Sequence, residues 1–468
     1  MGRWIREVHG DYALFCKVSK TYNSLLRFGS MAELAVWPSW QYGRGRQAYG
    51  EQLNREFQAK LPLTAHEAIE HLTHAVRIMT TSLEAKNEAR NTGKKAAPAY
   101  ELAPYKSQGN AELQERIAAV KKQLGRQLLI LGHHYQQDEV IAQADLRGDS
   151  YQLSQMAAGS SDCRFIAFCG VHFMAETADI LANRPEKLAE RNGRRVTVVL
   201  PDMAAGCSMA DMAAIDQVES AWEELGEVLD VEDITPVTYI NSAASLKAFC
   251  GRHNGIVCTS SNAAAVLDWA FRRTSRVLFF PDQHLGRNTA LTSGITAEQM
   301  PVWDPYADEF GGHDQAALER SKVILWKGHC SVHQMFTAAH VKMFREQHPG
   351  IKILVHPECP QEVNDLADVS GSTGKIIRTV EEAPPGTKWA IGTELHLVNR
   401  LKQEHPEQEI HFLSPVVCMC ATMYRINLAH LCWSLENLAA GTPVNVIEVD
   451  EDTARWSLVA LERMLEVK

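Results

Sequence analysis

Positive charge is in deficit: 47 Lys and Arg stand against 57 Asp and Glu, a formal net charge of −10. That balance excludes the basic footprint of a nucleic-acid-binding protein. An anionic small molecule would have to be met by local cations, backbone N–H groups or a metal. Long apolar runs are also missing, none approaching the roughly 18 residues of a membrane-spanning helix. The opening segment "MGRWIREVHGDYALF" lacks the pattern of a signal peptide, so a cytoplasmic location is expected. Eleven cysteines, an odd number scattered through the chain, do not read as a disulfide framework. Most should be reduced and structural, a few could be ligands.

Apolar residues make up 45% of the 468, enough to bury large cores, and at roughly 150 residues per domain the length suggests three units. Residues 1–106 read as an N-terminal extension and linker. "TAHEAIEHLTHAVRIMTTSLEAKNEAR" places Ile69, Leu72, Val76 and Met79 on one helical stripe, and "NTGKKAAPAYELAPYKSQGN" follows as a Gly/Pro/Ala/Lys stretch. A docking or oligomerisation element would explain it.

From about residue 110, short apolar runs alternate with helical stretches: "LLILG", "RFIAFCG", "VTVVLP", "VTYIN", "GIVCTS", "VLFFP", "VILW", "KILVHP", "WAIGT" and "IHFLSP". Such runs, buried on both faces and separated by helices, predict parallel sheets in α/β units, with boundaries at 107–206, 207–329 and 330–450 and a C-terminal helix over 451–468. No internal repeat is strong enough to prove three units. The stretch "GITAEQMPVWDPYADEFGGHDQAALERSK" reads as an insertion or surface lobe in the middle one. Ligands in such sheets bind beyond the carboxyl ends of the strands, and several of these ends carry chemically able residues, among them His133, His134 and Tyr135, Tyr239 and Asn241, Asp282 and Asn288, and His356 with Glu358.

Three cysteine contexts each follow a strand and precede a helical pattern: "DMAAGCSMADM" (Cys207), "WKGHCSVHQMF" (Cys330) and "VVCMCATMYRIN" (Cys418, Cys420). Their separation rules out a local zinc knuckle and suits a site taking one ligand per unit. Zinc, an iron–sulfur cluster and three unrelated buried thiols all remain open on chemistry alone. "GSTGK" resembles the end of a phosphate loop, but Val369 stands where its first Gly should be and Ile376 follows Lys375, so nucleotide triphosphate binding is rejected.

Eight motifs, "LGHHYQQDEVIAQADLRGDSYQLSQMA", "FCGVHFMAETADIL", "PDMAAGCSMADM", "TYINSAASLKAFC", "CTSSNA", "WKGHCSVH", "VHPECPQEVNDLADVSGSTGKI" and "CATMYRINL", closely resemble the quinolinate synthase family in order over residues 110–450. The resemblance implies three similar α/β sandwich domains with parallel sheets around a pseudo-threefold axis. It implies a [4Fe-4S] cluster held by Cys207, Cys330 and Cys420 with one iron open as a Lewis acid, Cys418 being a bystander. The implied reaction, part of de novo NAD biosynthesis, condenses iminoaspartate with dihydroxyacetone phosphate and releases phosphate and two waters. A functional link to L-aspartate oxidase or aspartate dehydrogenase goes with it.

Carried over motif by motif, His133, Tyr135, Tyr239, Asn241, His333, His356 and Glu358 are the catalytic candidates, with a histidine able to shuttle protons at neutral pH. His133, Ser150, Tyr239, Asn241, Ser260, His356, Glu358, Ser372 and Thr373 are expected to bind substrate. His134 stands where many members of the family carry Asn. A Ser or Thr after a strand is otherwise most simply a helix cap. His172, His284, His329 and His396 are expected to be structural, and no chemical step is given to Glu176. Two other readings compete: a different iron–sulfur hydro-lyase, and a non-catalytic cluster sensor, which would have no use for the strand-tip acid–base set.

Overall fold

A computed structural model describes residues 98–159, 163–417 and 419–467, within a compact unit running from Ala96 to Lys468. The expected stripe at Ile69–Met79 and the expected bystander Cys418 lie outside the described residues.

All ten apolar runs form strands, most of them rich in β-branched or aromatic residues and buried on both faces, the Glu409–Phe412 strand being the half-exposed one. In chain order, the first region holds β1 (Leu128–His133), β2 (Leu146–Gly148), β3 (Phe165–Cys169) and β4 (Thr197–Val199). The second holds β5 (Ile234–Tyr239), β6 (Ile256–Cys258), β7 (Arg276–Phe280), β8 (Val302–Trp303) and β9 (Val323–Trp326). The third holds β10 (Lys352–Val355), β11 (Val369–Ser370), β12 (Lys388–Gly392) and β13 (Glu409–Phe412), and β14 (Val446–Ile447) comes last.

The sheets run β2-β1-β3-β4, β6-β5-β7-β9-β8 and β11-β10-β12-β13, with every pair among these strands parallel. Apart from β8, each region repeats one order: second strand, first, third, last. The repetition that is faint in sequence is therefore plain in topology. β8 comes from the expected surface lobe, which extends the second sheet and buries Trp303, while Tyr306 is left exposed.

Two boundaries differ from expectation. After β13 the chain leaves the third sheet: the helix Leu428–Ala439 packs into the first core, and β14 pairs antiparallel with β4. It thus caps an edge that would otherwise present unpaired backbone groups. The helix Glu451–Glu466 packs against the helix Ala244–Arg252 of the second region, so closely that a Cβ on Gly251 would collide with the Trp456 carbonyl oxygen. The presumed linker is also docked in part. Tyr105 is buried, its hydroxyl bonds Glu436, and the Ala99 N–H donates to Thr442 Oγ1 at 3.0 Å. Composition alone could not reveal that anchor, which depends on a helix more than 300 residues away.

Candidate active site

The repeated topology sorts the site residues by strand. The first strands of the three sheets end in His133 and Tyr135, in Tyr239 and Asn241, and in His356 and Glu358. The second strands lead to Ser150, Ser260, and Ser372 with Thr373, and the last strands lead to Cys207, Cys330 and Cys420. Each cysteine comes off its sheet by a short loop. At the second one, Gly328 passes so near the Pro281 carbonyl that no side chain fits.

These tips open on one pocket of about 720 Å³ of empty space, lined by all of the candidates except Ser372. Ser372 instead caps the helix Thr373–Glu381, its Oγ accepting from the Lys375 N–H at 3.4 Å, which is the plain helix-cap role. Among the described residues, no Lys or Arg lines the pocket. Anion recognition there falls to hydroxyls, backbone N–H groups and whatever cation the site holds.

Glu358 is the hub. The Tyr239 hydroxyl donates to Oε1 at 2.6 Å, and His333 Nδ1 lies 2.8 Å from Oε2. That second approach lacks hydrogen-bond geometry, so it is an electrostatic contact. His333 Nε2 reaches Thr393 Oγ1 at 3.1 Å, and the Tyr135 hydroxyl meets Thr393 Oγ1 and Thr373 Oγ1, both at 2.9 Å. The His333 and His356 rings stack with centroids 4.7 Å apart.

Two histidines share a local device. The Tyr135 N–H donates to His133 Nδ1 at 3.1 Å, and the Glu358 N–H donates to His356 Nδ1 at 3.3 Å. With Nδ1 accepting, each neutral ring carries its proton on Nε2. Burial agrees, lowering both imidazoles to about 3. The 3.8 Å approach of His356 Nδ1 to Glu358 is therefore not an ion pair. Burial pushes the Glu358 carboxyl up, but His333 and the Tyr239 hydrogen bond prevail and hold it below the usual carboxylate range. Burial and the Glu358 charge raise both Tyr135 and Tyr239 well above the ordinary tyrosine value, so they remain hydroxyl donors. Glu358 thus stands ionised among neutral donors.

The donor set suits a soft metal centre. Cys330, His333 and Glu358 offer ligand atoms within 4.8 Å of one another. Cys207, Cys330 and Cys420 are free thiols lining the same pocket; burial raises all three, and the neighbouring thiols add to it for Cys207 and Cys330. Three thiolates gathered in such a place call for a strong cation. Asn241 Oδ1, in the same pocket, is buried without a hydrogen-bond partner. Cys169, Cys250, Cys258, Cys359 and Cys432 are buried, as expected of structural thiols.

Several supporting residues were either absent from the sequence-based candidates, as Thr393, Glu394 and Arg400, or named there without a role, as Asn288 and Glu176. Thr393 bridges Tyr135 and His333, and its place at the tip of β12 was the signal available. Glu394 lines the pocket, accepts from the Cys420 N–H at 3.4 Å and pairs with His396 at 2.9 Å. Asn288 donates to the Pro357 and Cys359 carbonyls, both at 2.8 Å, gripping the loop that carries Glu358. Arg400 bonds Asp138 and the His134 carbonyl, tying the third region to the first strand tip. Glu176 accepts the Ala244 N–H at 3.0 Å, a structural tether.

Comparison with known proteins adds an independent finding. The family model described as quinolinate synthetase A protein matches residues 115–466. The quinolinate synthase of Rhodopirellula baltica is 75% identical over 369 residues, covering 79% of this chain and 94% of that one. Those of Geobacillus kaustophilus and Halalkalibacterium halodurans are 54% and 52% identical, each covering 95% of the relative and 78% and 77% of this chain.

Proposed function

This chain belongs to the quinolinate synthase family and is an enzyme, and from that premise we propose that it condenses iminoaspartate with dihydroxyacetone phosphate to quinolinate, releasing phosphate and two waters. The observation that carries this reading is the meeting of Glu358, Tyr239 and His333 with three free cysteines in one pocket fed by three sheets.

Cys207, Cys330 and Cys420 would hold a [4Fe-4S] cluster. An iron left without a thiolate supplies Lewis acidity toward a substrate oxygen or nitrogen. The rest falls to the chain's own groups. Glu358, kept ionised beside His333, is the group placed to take a proton from an imine or enol carbon. Tyr239 and Tyr135 stay protonated and hold substrate oxygens through their hydroxyls. His133 and His356 offer Nε2–H to a carboxylate or carbonyl. Ser150, Ser260 and Thr373, with the starts of the helices Ser150–Gly159 and Thr373–Glu381, bind the carboxylates and phosphate, since among the described residues no lysine or arginine lines the pocket. Iminoaspartate is made by oxidising aspartate, so an L-aspartate oxidase or aspartate dehydrogenase is the functional neighbour. Among the described residues no helix is long and apolar enough to cross a membrane.

The test is anaerobic purification followed by iron and sulfide analysis and a quinolinate assay on the two substrates. One cluster per chain with quinolinate formed is the expected result. A cluster without quinolinate would overturn the substrate assignment, and no cluster under strict exclusion of oxygen would overturn the cofactor.

A further inference from the structure

A second group of metal-capable side chains lies outside the pocket, on the third sheet. His411 and Glu409 sit on β13, and His348 follows the helix Ala338–Gln347. Glu409 opens β13 beside Lys388, the first residue of β12, so it stands at the end of the sheet opposite the cysteine loop. His348 Nδ1 approaches Glu409 Oε1 at 3.0 Å, and His411 Nε2 approaches the same oxygen at 2.8 Å. The two ring centroids are 4.3 Å apart, and Phe344 packs against both rings at 5.8 and 5.9 Å. Lys388 Nζ takes the other oxygen, Oε2, at 3.3 Å.

We propose that His348, Glu409 and His411 form a binding site for a divalent ion of the zinc class. The three candidate ligand atoms lie within 4.8 Å of one another. A tetrahedral ion with bonds of about 2.0–2.2 Å holds its ligand atoms roughly 3.3–3.5 Å apart. Seating it asks each ring nitrogen to draw back from Oε1 by about half an ångström, starting from 3.0 and 2.8 Å, with the two nitrogens already within 4.8 Å of each other. The rings are oriented by Phe344, and Lys388 leaves Oε1 free for single-oxygen ligation. Side-chain exposures of 26%, 40% and 28% leave an entry path and room for a water as fourth ligand.

Two imidazoles and one carboxylate favour Zn²⁺ and its neighbours over Mg²⁺ or Ca²⁺. Each ring must present an unprotonated nitrogen to the ion, so protons compete with the metal for these atoms. The ion would fasten the end of the helix Ala338–Gln347 to the edge strand of the sheet that carries the Cys420 loop. This inference does not rest on the pocket's reading.

The experiment is anaerobic equilibrium dialysis of the full chain, as purified, against Zn²⁺ and separately against Mg²⁺, with His348→Ala, His411→Ala and His411→Gln beside the parent. The expected result is a Zn²⁺ equivalent in the parent that weakens at least about tenfold in every variant. Mg²⁺ should not bind there, the parent's thermal midpoint should rise with Zn²⁺ and the variants' should not, and quinolinate formation should be unchanged. Zn²⁺ binding that persists undiminished in the variants, or a parent affinity weaker than about 0.1 mM, overturns the proposal. Should an alanine variant misfold, His411→Gln keeps the side chain's bulk and decides the matter.

Discussion

Replacing Glu358 with Gln removes one negative charge from the pocket while keeping its shape. The carboxylate now accepts from the Tyr239 hydroxyl at 2.6 Å and faces His333 Nδ1 at 2.8 Å. A glutamine can still accept from Tyr239 with its carbonyl, but it presents an NH₂ to His333 and cannot take a proton. Losing a positioned general base costs about 10²–10⁴-fold in kcat. At 1.36 kcal/mol per tenfold, this is about 3–5 kcal/mol of transition-state stabilisation. The assay is anaerobic quinolinate formation with kcat and KM resolved, alongside iron and sulfide content. The expected enzyme keeps its cluster, changes KM little and loses kcat. A variant within about threefold of the parent's kcat would falsify the base assignment. Loss of iron in step with activity would instead make Glu358 part of what holds the metal.

Three further perturbations follow from the same geometry. Cys207→Ala, Cys330→Ala and Cys420→Ala should each abolish the cluster, whereas Cys250→Ala and Cys418→Ala should keep it; equal iron loss in all five would sink the ligand assignment. His134 is lowered to about 4, by burial first and then by the charges of Arg400 and Arg147. A histidine lowered on folding contributes stability that is present above its unfolded value near 6.5 and is lost as pH falls toward the folded value. His134→Asn should therefore lessen the drop in urea stability between pH 7.5 and 5.5 by about 1 kcal/mol, and an unchanged drop would refute that linkage. Gly251→Ala should force the helix Ala244–Arg252 off the Trp456 carbonyl and cost about 1–3 kcal/mol or more, read by denaturation; a neutral effect would mean the helices part freely.

The strands missed in the sequence are short edges: β2, β8, β11 and β14 run two or three residues each. Leu146 and Arg147 in β2 are exposed, so no buried run announces that strand. The ten strands read from the sequence were legible because each is an apolar run, most of them with both faces buried. The strand-tip rule also found His133, Tyr239 and Glu358, since chemistry in such sheets collects at carboxyl ends.

The sequence by itself determined the α/β class, the strand tips that bear chemistry and, through its motifs, the family. It could not reveal that one serine of the set caps a helix while its neighbour Thr373 lines the pocket, because both sit on the same turn and only packing separates them. Nor could it reveal that His133 and His356 are neutral Nε2–H donors, which depends on burial and on a backbone N–H two residues along. Only the tertiary structure decided that Tyr239 and His333, from the second region and the start of the third, share the Glu358 carboxylate. The physical reason is that local pattern fixes which residues end a strand, while a site's charge state is set by burial and by neighbours that packing brings in, such as Tyr239, 119 residues from Glu358.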